Sequence, residues 1–331
     1  MTEPLITVVI PTAGRPESLL RAIDSALAGM APGEVEVIVV PNGTDISWRK
    51  ALARYGDNPA VRVLPVETGH ANVARNHGMR HARGRYIRFL DDDDVLYSEG
   101  ARRQYAEITR LDGDVCSGSY AVVDRHMSVL MVQHQSQTDD FISGLMGQTG
   151  MWQPTAHVFR RAAVAGGRWD ESLDFCQDFD WMRRVCEVSE LKWVRCEQVV
   201  GAWCRHLGTG ITRHASIDAK KRVIARGIQA LIDRLEAQGR LTPERRTAAA
   251  VGLWNCVHSA LCFSPVYWTA IARQARTLSP ESRPAIALYE HPLARRWGPD
   301  PLLWEWLLAP KRLVTYWLRR VWVYAGWARY G

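Results

Sequence analysis

No apolar run in the 331-residue chain reaches the ~18 residues needed to span a bilayer. The first four residues, Met1 to Pro4, carry no basic segment, and the apolar stretch Leu5 to Ile10 is too short for a secretory leader. A soluble or peripheral, cytoplasmic protein is expected. Seven cysteines include no C-x-x-C pair, which argues against a zinc knuckle or a disulfide framework and for reduced thiols. Neither G-x-G-x-x-G nor G-x-x-x-x-G-K-[ST] occurs, so the two common phosphate loops are absent. There is no internal repeat and no low-complexity tract. What remains is an ordinary globular composition, 47 % hydrophobic and 23 % charged, with a formal net charge of +7 carried mostly by Arg. That balance favours anionic partners: phosphates, nucleotides, nucleic acid or an acidic membrane surface.

The N-terminal third alternates strand and helix. Ile6 to Ile10 is a continuous β-branched run, as buried parallel strands require, and Val35 to Val40 reads as a second apolar strand. Pro16 opens a helix whose Leu19, Leu20, Ile23, Ala26 and Leu27 share one face. A third strand is expected over Val61 to Val66, a helix over Ala71 to Ala82, and a strand over Tyr86 to Leu90. This rhythm predicts an α/β fold with a parallel sheet and helices on both faces. Strand 86–90 runs straight into Asp91-Asp92-Asp93-Asp94. Four adjacent carboxylates repel one another and call for compensation, commonly by a hard divalent cation shared with substrate phosphates. Ligands of open α/β sheets gather beyond the carboxyl ends of the strands, where this cluster lies. An acidic turn that only caps the following helix is the bland alternative. Downstream come a helix over Glu99 to Leu111, strands near Val115 to Val123 and Ala156 to Phe159, and a helix over Asp178 to Val188. Two separate strands follow, near Lys192 to Val194 and Val199 to Trp203, and the pattern is helical from Ile217 onward.

Several short motifs occur together: Val8-Val9-Ile10-Pro11-Thr12, Val39-Val40-Pro41-Asn42-Gly43-Thr44-Asp45, Gly69-His70-Ala71-Asn72-Val73-Ala74-Arg75-Asn76-His77-Gly78, and Phe89 through Asp94. Gly166 to Asp170 followed by Gln177-Asp178-Phe179-Asp180-Trp181 and Arg184, and then Arg205 to Thr209, complete the series. In this order, across roughly residues 5 to 212, the chain resembles the family 2 glycosyltransferases of the GT-A fold. The resemblance implies residues 1–112 as the nucleotide-sugar-binding half of a GT-A domain and 113–215 as its acceptor-binding half. Residues 216–331 form a C-terminal helical, Trp/Arg-rich region outside the resemblance. It implies an inverting, metal-dependent transfer of a sugar from a nucleoside-diphosphate sugar to a hydroxyl of a glycan or lipid-linked acceptor. Asp91 and Asp93 would hold Mn²⁺ or Mg²⁺, with His206 in the late loop completing the metal shell or closing over the diphosphate. Pro11, Thr12, Asn42, Arg75, Asp91 and Asp92 would contact the donor. Asp94 is expected to cap the next segment. Asp178 would be the base that deprotonates the acceptor hydroxyl, with Asp174 and Asp180 as fallbacks. The chain departs from the family at Pro41-Asn42, where two acids are common, and at Gln177, where a Glu is common. These departures keep a catalytically silent nucleotide-sugar-binding or scaffold protein in view. A sugar nucleotidyltransferase is the other alternative, although its Gly-rich phosphate loop is replaced by Pro11-Thr12-Ala13-Gly14-Arg15.

The C-terminal stretch interleaves Trp304, Trp306, Trp317, Trp322 and Trp327 with Lys311, Arg312, Arg319, Arg320 and Arg329. Indole rings beside cations suit an anionic membrane surface, at the inner face of the membrane. A helical cap packed on the rest of the protein is the alternative. Nothing basic and flexible supports nucleic acid as a partner.

Overall fold

The computed structural model describes residues 3–147, 151–205, 216–286, 289 and 300–324, the side chains of 319–324 excepted. It divides into two compact units: Met1–Leu145 with Thr149–Arg213, and Met146–Gln148 with His214–Gly331.

In the first unit, strand β1 (Ile6–Thr12) leads through Ala13-Gly14-Arg15 to helix α1 (Pro16–Leu27), then β2 (Val35–Pro41), α2 (Trp48–Leu52), β3 (Val61–Val63) and α3 (Ala71–His81). Next come β4 (Tyr86–Phe89), β5 (Val95–Leu96), α4 (Ser98–Arg110), β6 (Val115–Val123) and β7 (Val129–Gln133). Helix α5 (Phe141–Gly147) precedes β8 (His157–Arg160), α6 (Gln177–Val188) and β9 (Trp193–Cys204). The strands form one sheet in the order β3-β2-β1-β4-β8-β6-β9-β5, with β7 paired to β6. Strands β1 to β4 pair in parallel, and every residue of β1 and β2 is buried, including Glu36, which accepts from the Thr7 hydroxyl at 2.7 Å. The glycine in α3 lets that helix lie on β1: a Cβ on Gly78 would come 2.4 Å from Val9 Cγ1.

The parallel sheet expected for the N-terminal third is present in β1 to β4, and beyond β4 the pairing changes. Strand β8 runs antiparallel to both β4 and β6, and β5 antiparallel to β9, so the sheet is mixed. The two expected strands around 192–203 are one, β9, which passes through Arg195 to Gln198 with register shifts against β6 at Gly118 to Tyr120. A shift of this kind absorbs the polar interruption that reads as a turn in sequence.

The second unit is helical where described: α7 (Ile217–Ala237), α8 (Pro243–Ala260), α9 (Pro265–Leu278) and α10 (Pro301–Tyr324). Ser216 and Thr242 cap α7 and α8 by accepting from Ala219 N and Arg245 N. No helix among the described residues is long and apolar enough to cross a membrane.

Candidate active site

The carboxyl ends of β1, β2 and β4 converge. Thr12 closes β1, and its hydroxyl donates to Asp92 Oδ2 at 2.6 Å. Asn42, just past β2, uses its side-chain and backbone N–H groups on the Thr12 carbonyl (2.9 and 3.0 Å), which locks the two loops together. Its Oδ1 is left as the group that could accept from a base. Pro11 is buried within β1.

The four aspartates divide their work. Asp94, expected to cap the next segment, instead turns inward. It accepts from Thr155 Oγ1 (2.6 Å), Gln153 Nε2 (3.0 Å) and Cys204 N (2.9 Å), so it ties the acidic loop to the segment just before β8 and to the end of β9. Burial pushes its carboxyl well up, with the charges of Asp91 and Asp93 adding. Asp92 also faces inward, its side chain fully buried. Arg15 Nη2 stands 2.6 Å from Asp92 Oδ1, a charge contact without hydrogen-bond alignment. Burial raises Asp92 to about 7, against the opposing charge of Arg15 and the bond from Thr12. Asp93 pairs with Arg15 at the mouth of the loop. Asp91 keeps a carboxylate that is 32 % exposed and accepts from Arg75 Nη2 at 2.7 Å.

Arg75 connects this loop to the second acidic element. Its guanidinium is almost fully buried, lies over the Trp169 ring (4.6 Å to the centroid), and donates to Asn72 Oδ1 and Gln177 Oε1, each at 3.0 Å. Helix α3 holds the 166–171 loop by paired bonds. Asn76 accepts from Trp169 N (3.0 Å) and donates to Trp169 O (2.9 Å), while Asn72 donates to Asp170 O (2.6 Å). Trp169 stacks on Trp181 of α6 (4.9 Å, 6°), and Phe89 meets both rings edge-on. Strand β4, helix α3 and helix α6 are thereby joined by one aromatic cluster under the site.

Asp178 sits in the first turn of α6, entered through Cys176 at φ +57°. Its Oδ1 is sealed from solvent and has no hydrogen-bond partner. Burial pushes its carboxyl to about 7, with nearby Arg75 opposing the rise and Asp91 adding to it. A carboxyl poised near neutrality is matched to accepting a proton at working pH. The fallback bases are less suited. Asp180 is bound by Arg183 (2.6 Å) and Arg184 (2.7 Å), and Asp174 is largely exposed, 3.9 Å from His70. Arg184 also bonds Asp170 (2.6 Å), which ties α6 to the 166–171 loop.

Of the residues expected at the site, the structure brings Thr12, Asn42, Arg75, Asp91, Asp92, Asp93 and Asp178 into one connected region. His206 lies outside the described residues. Arg15 and Trp169 were not expected in the site. Arg15 carried a sequence hint, its position between the end of β1 and the helix-opening Pro16. As to a cation, no group of three His, Cys, Asp or Glu side chains able to hold one occurs among the described residues. Asp91 and Asp93 nonetheless fit a hard cation of the Mg²⁺ type, which is commonly held by one or two carboxylates together with substrate phosphates. Asp91 pairs with Arg75 and Asp93 with Arg15.

The mixed sheet flanked by helices is of the GT-A type. Residues 7–165 match the model for glycosyl transferase family 2, and that stretch of the chain belongs to the family. A relative from Rickettsia bellii, described as an uncharacterized glycosyltransferase, is 32 % identical over 202 residues, which is 57 % of this chain and 28 % of the relative. The chain spans between 21 % and 60 % of the length of four such Rickettsia relatives. Among solved structures, Staphylococcus aureus TarS 1-349 in complex with UDP-GlcNAc superposes with a TM-score of 0.58 at 16 % identity, covering 83 % of this chain and 90 % of that one. A mannosyltransferase from Pyrobaculum calidifontis in complex with GDP-Man and Mn²⁺ gives a TM-score of 0.56 at 15 % identity, covering 93 % and 87 %. At these identities the likeness is one of fold.

Proposed function

We propose that the protein is an inverting, metal-dependent glycosyltransferase. It moves a sugar from a nucleoside-diphosphate sugar to a hydroxyl of a glycan or lipid-linked acceptor. The observation that carries this reading is the unpartnered, buried Oδ1 of Asp178 beside Arg75, which itself reaches Asp91 in the acidic loop. One residue thus links a general-base candidate to a cation-binding candidate. The family match supports transfer chemistry, and the sugar nucleotides bound by the two solved neighbours support a donor of that class.

In this reading Asp91 and Asp93 would hold Mn²⁺ or Mg²⁺. The ion would neutralise charge developing on the departing nucleoside diphosphate. Asn42 Oδ1 offers an acceptor to the base, and Thr12 and Asp92 shape the floor beneath it. Arg75 presents its fork toward the donor's charged end and holds Asp178 oriented through the Gln177 contact. Asp178 removes the proton from the acceptor hydroxyl as its oxygen attacks the anomeric carbon. Gln177, standing where family members commonly have Glu, spares Asp178 a neighbouring negative charge. Peripheral attachment to an anionic membrane surface through the C-terminal region belongs to the same reading.

The test is release of nucleoside diphosphate from a panel of UDP-, GDP- and dTDP-sugars with Mn²⁺. Release from one donor class by the wild type, lost in Asp178→Asn, is the expected result. Equal release by both proteins would remove Asp178 as the base, and no release from any donor would favour a silent nucleotide-sugar binder.

A further inference from the structure

Helix α10 is built inside out. A surface helix ordinarily turns its apolar stripe to the core and its charges to water. Here Glu305 is fully buried, and it accepts from Tyr289 Oη (3.0 Å), from Arg312, and at 3.1 Å from His258 Nδ1. Arg312 also donates to the His258 carbonyl at 3.0 Å. The packed face, which also carries Ala309 and Tyr316, thus holds an ionic cluster. The opposite face carries Leu303, Trp306, Leu307, Val314, Trp317 and Leu318, each between 44 % and 62 % exposed. At 100° per residue these six fall within an arc of about 120°, so they form one stripe along the helix. Scattered surface apolar residues need no explanation, but a contiguous stripe marks an interaction surface.

We propose that this stripe lies in the plane of an anionic lipid bilayer, seated at the headgroup boundary. The inference rests on the membrane-linked acceptor reading above and names the element that would make the contact. Three observations select lipid. Trp306 and Trp317 lie within the stripe with their rings half exposed, Trp306 donating its indole N–H to Thr269 Oγ1 of α9 (3.2 Å), and indole rings favour the headgroup level. Lys311 stands exposed at the edge of the stripe, and the chain's net charge is +7, complementary to anionic lipid and repulsive toward a second copy of itself. The inner face of the helix holds the Glu305–Arg312 pair, which fits a helix lying on a membrane and not one crossing it. Its 24 residues would lay about 36 Å of helix along the surface.

The experiment is sedimentation of the full chain with vesicles of equal parts phosphatidylglycerol and phosphatidylcholine, compared with pure phosphatidylcholine. Wild type should pellet with the anionic vesicles and lose binding as salt rises. The variant Leu307→Glu/Trp317→Glu should lose vesicle binding on the order of tenfold. Both side chains are exposed, so its thermal midpoint should match wild type, which confirms that it folds. Wild type that stays in the supernatant, or a variant that pellets equally, overturns the proposal. So does a wild-type dimer that the variant splits, since the occupant of the stripe is then a second copy. Thermal stabilisation by nucleoside diphosphates, read on the same samples, reports the donor site independently of the stripe.

Discussion

Replacing Asp178 by Asn separates a catalytic carboxylate from a structural one, because the two roles give opposite signs in two assays. The side chain keeps its shape and loses its charge. A positioned general base contributes about 10²–10⁴ to the rate, so turnover should fall by that factor while donor binding persists. For stability, the folded carboxyl sits at about 7 and its ordinary value is 3.8. A raised carboxyl binds its proton more tightly in the folded state. The folded form therefore carries a penalty that is full above pH 7, shrinks as pH falls through 7, and is gone below about 4. Three units correspond to a ceiling of ~4 kcal/mol. The value of about 7 already includes the attraction of Arg75, and the cost of burying an amide in the same place offsets much of the rest, so a net stabilisation on the order of 1 kcal/mol at pH 8 is expected. Urea unfolding at pH 8 and below pH 4 measures it, and the gain should be present at pH 8 and gone below pH 4. In wild type the same group should make kcat/KM fall about tenfold per unit below pH 7. Undiminished turnover in the variant, or destabilisation at pH 8, would refute the reasoning.

Arg75→Ala should destabilise the protein by about 3–5 kcal/mol in urea unfolding, since it strands Asp91 and uncovers the Trp169 face in a buried setting. A Lys there should recover part of the stability but little turnover, because it lacks the fork that reaches Asp91, Asn72 and Gln177 together. Gly100→Ala should cost roughly 1–3 kcal/mol by denaturant midpoint, because the new Cβ would fall 2.2 Å from the Val199 carbonyl oxygen, a backbone atom that cannot swing aside.

The parts of the fold that were legible in sequence are those where burial dictates residue type along a continuous run. Strands β1 and β2 are apolar at nearly every position because both faces are covered, and α1 follows directly from its 3.6-residue stripe. Strand direction beyond β4 was not legible, since β6 and β8 are buried runs that read alike whether parallel or antiparallel. Two strands were missed for opposite reasons: β5 has two residues, and β7 exposes Val129, Leu130 and Met131 off the main path of the sheet. At the site, the carboxylate cluster and Asp178 stood out by position. How the four aspartates divide did not, because it depends on partners far along the chain: Thr12 for Asp92, and Thr155 and Cys204 for Asp94. A run of four identical residues carries no record of which way each one faces.

The central claim is that the acidic loop and the ends of β1 and β2 receive a nucleoside diphosphate together with a divalent cation. Thermal unfolding against UDP, GDP, dTDP and CDP, each with and without Mn²⁺, tests it most directly. A ligand at about 100 times its Kd adds roughly 2.7 kcal/mol, a rise of a few degrees for a protein of this size. The account predicts such a rise with one nucleotide class, dependent on Mn²⁺ and abolished by Asp91→Asn/Asp93→Asn. An unchanged midpoint with every nucleotide, in a cooperatively folding sample, would contradict it.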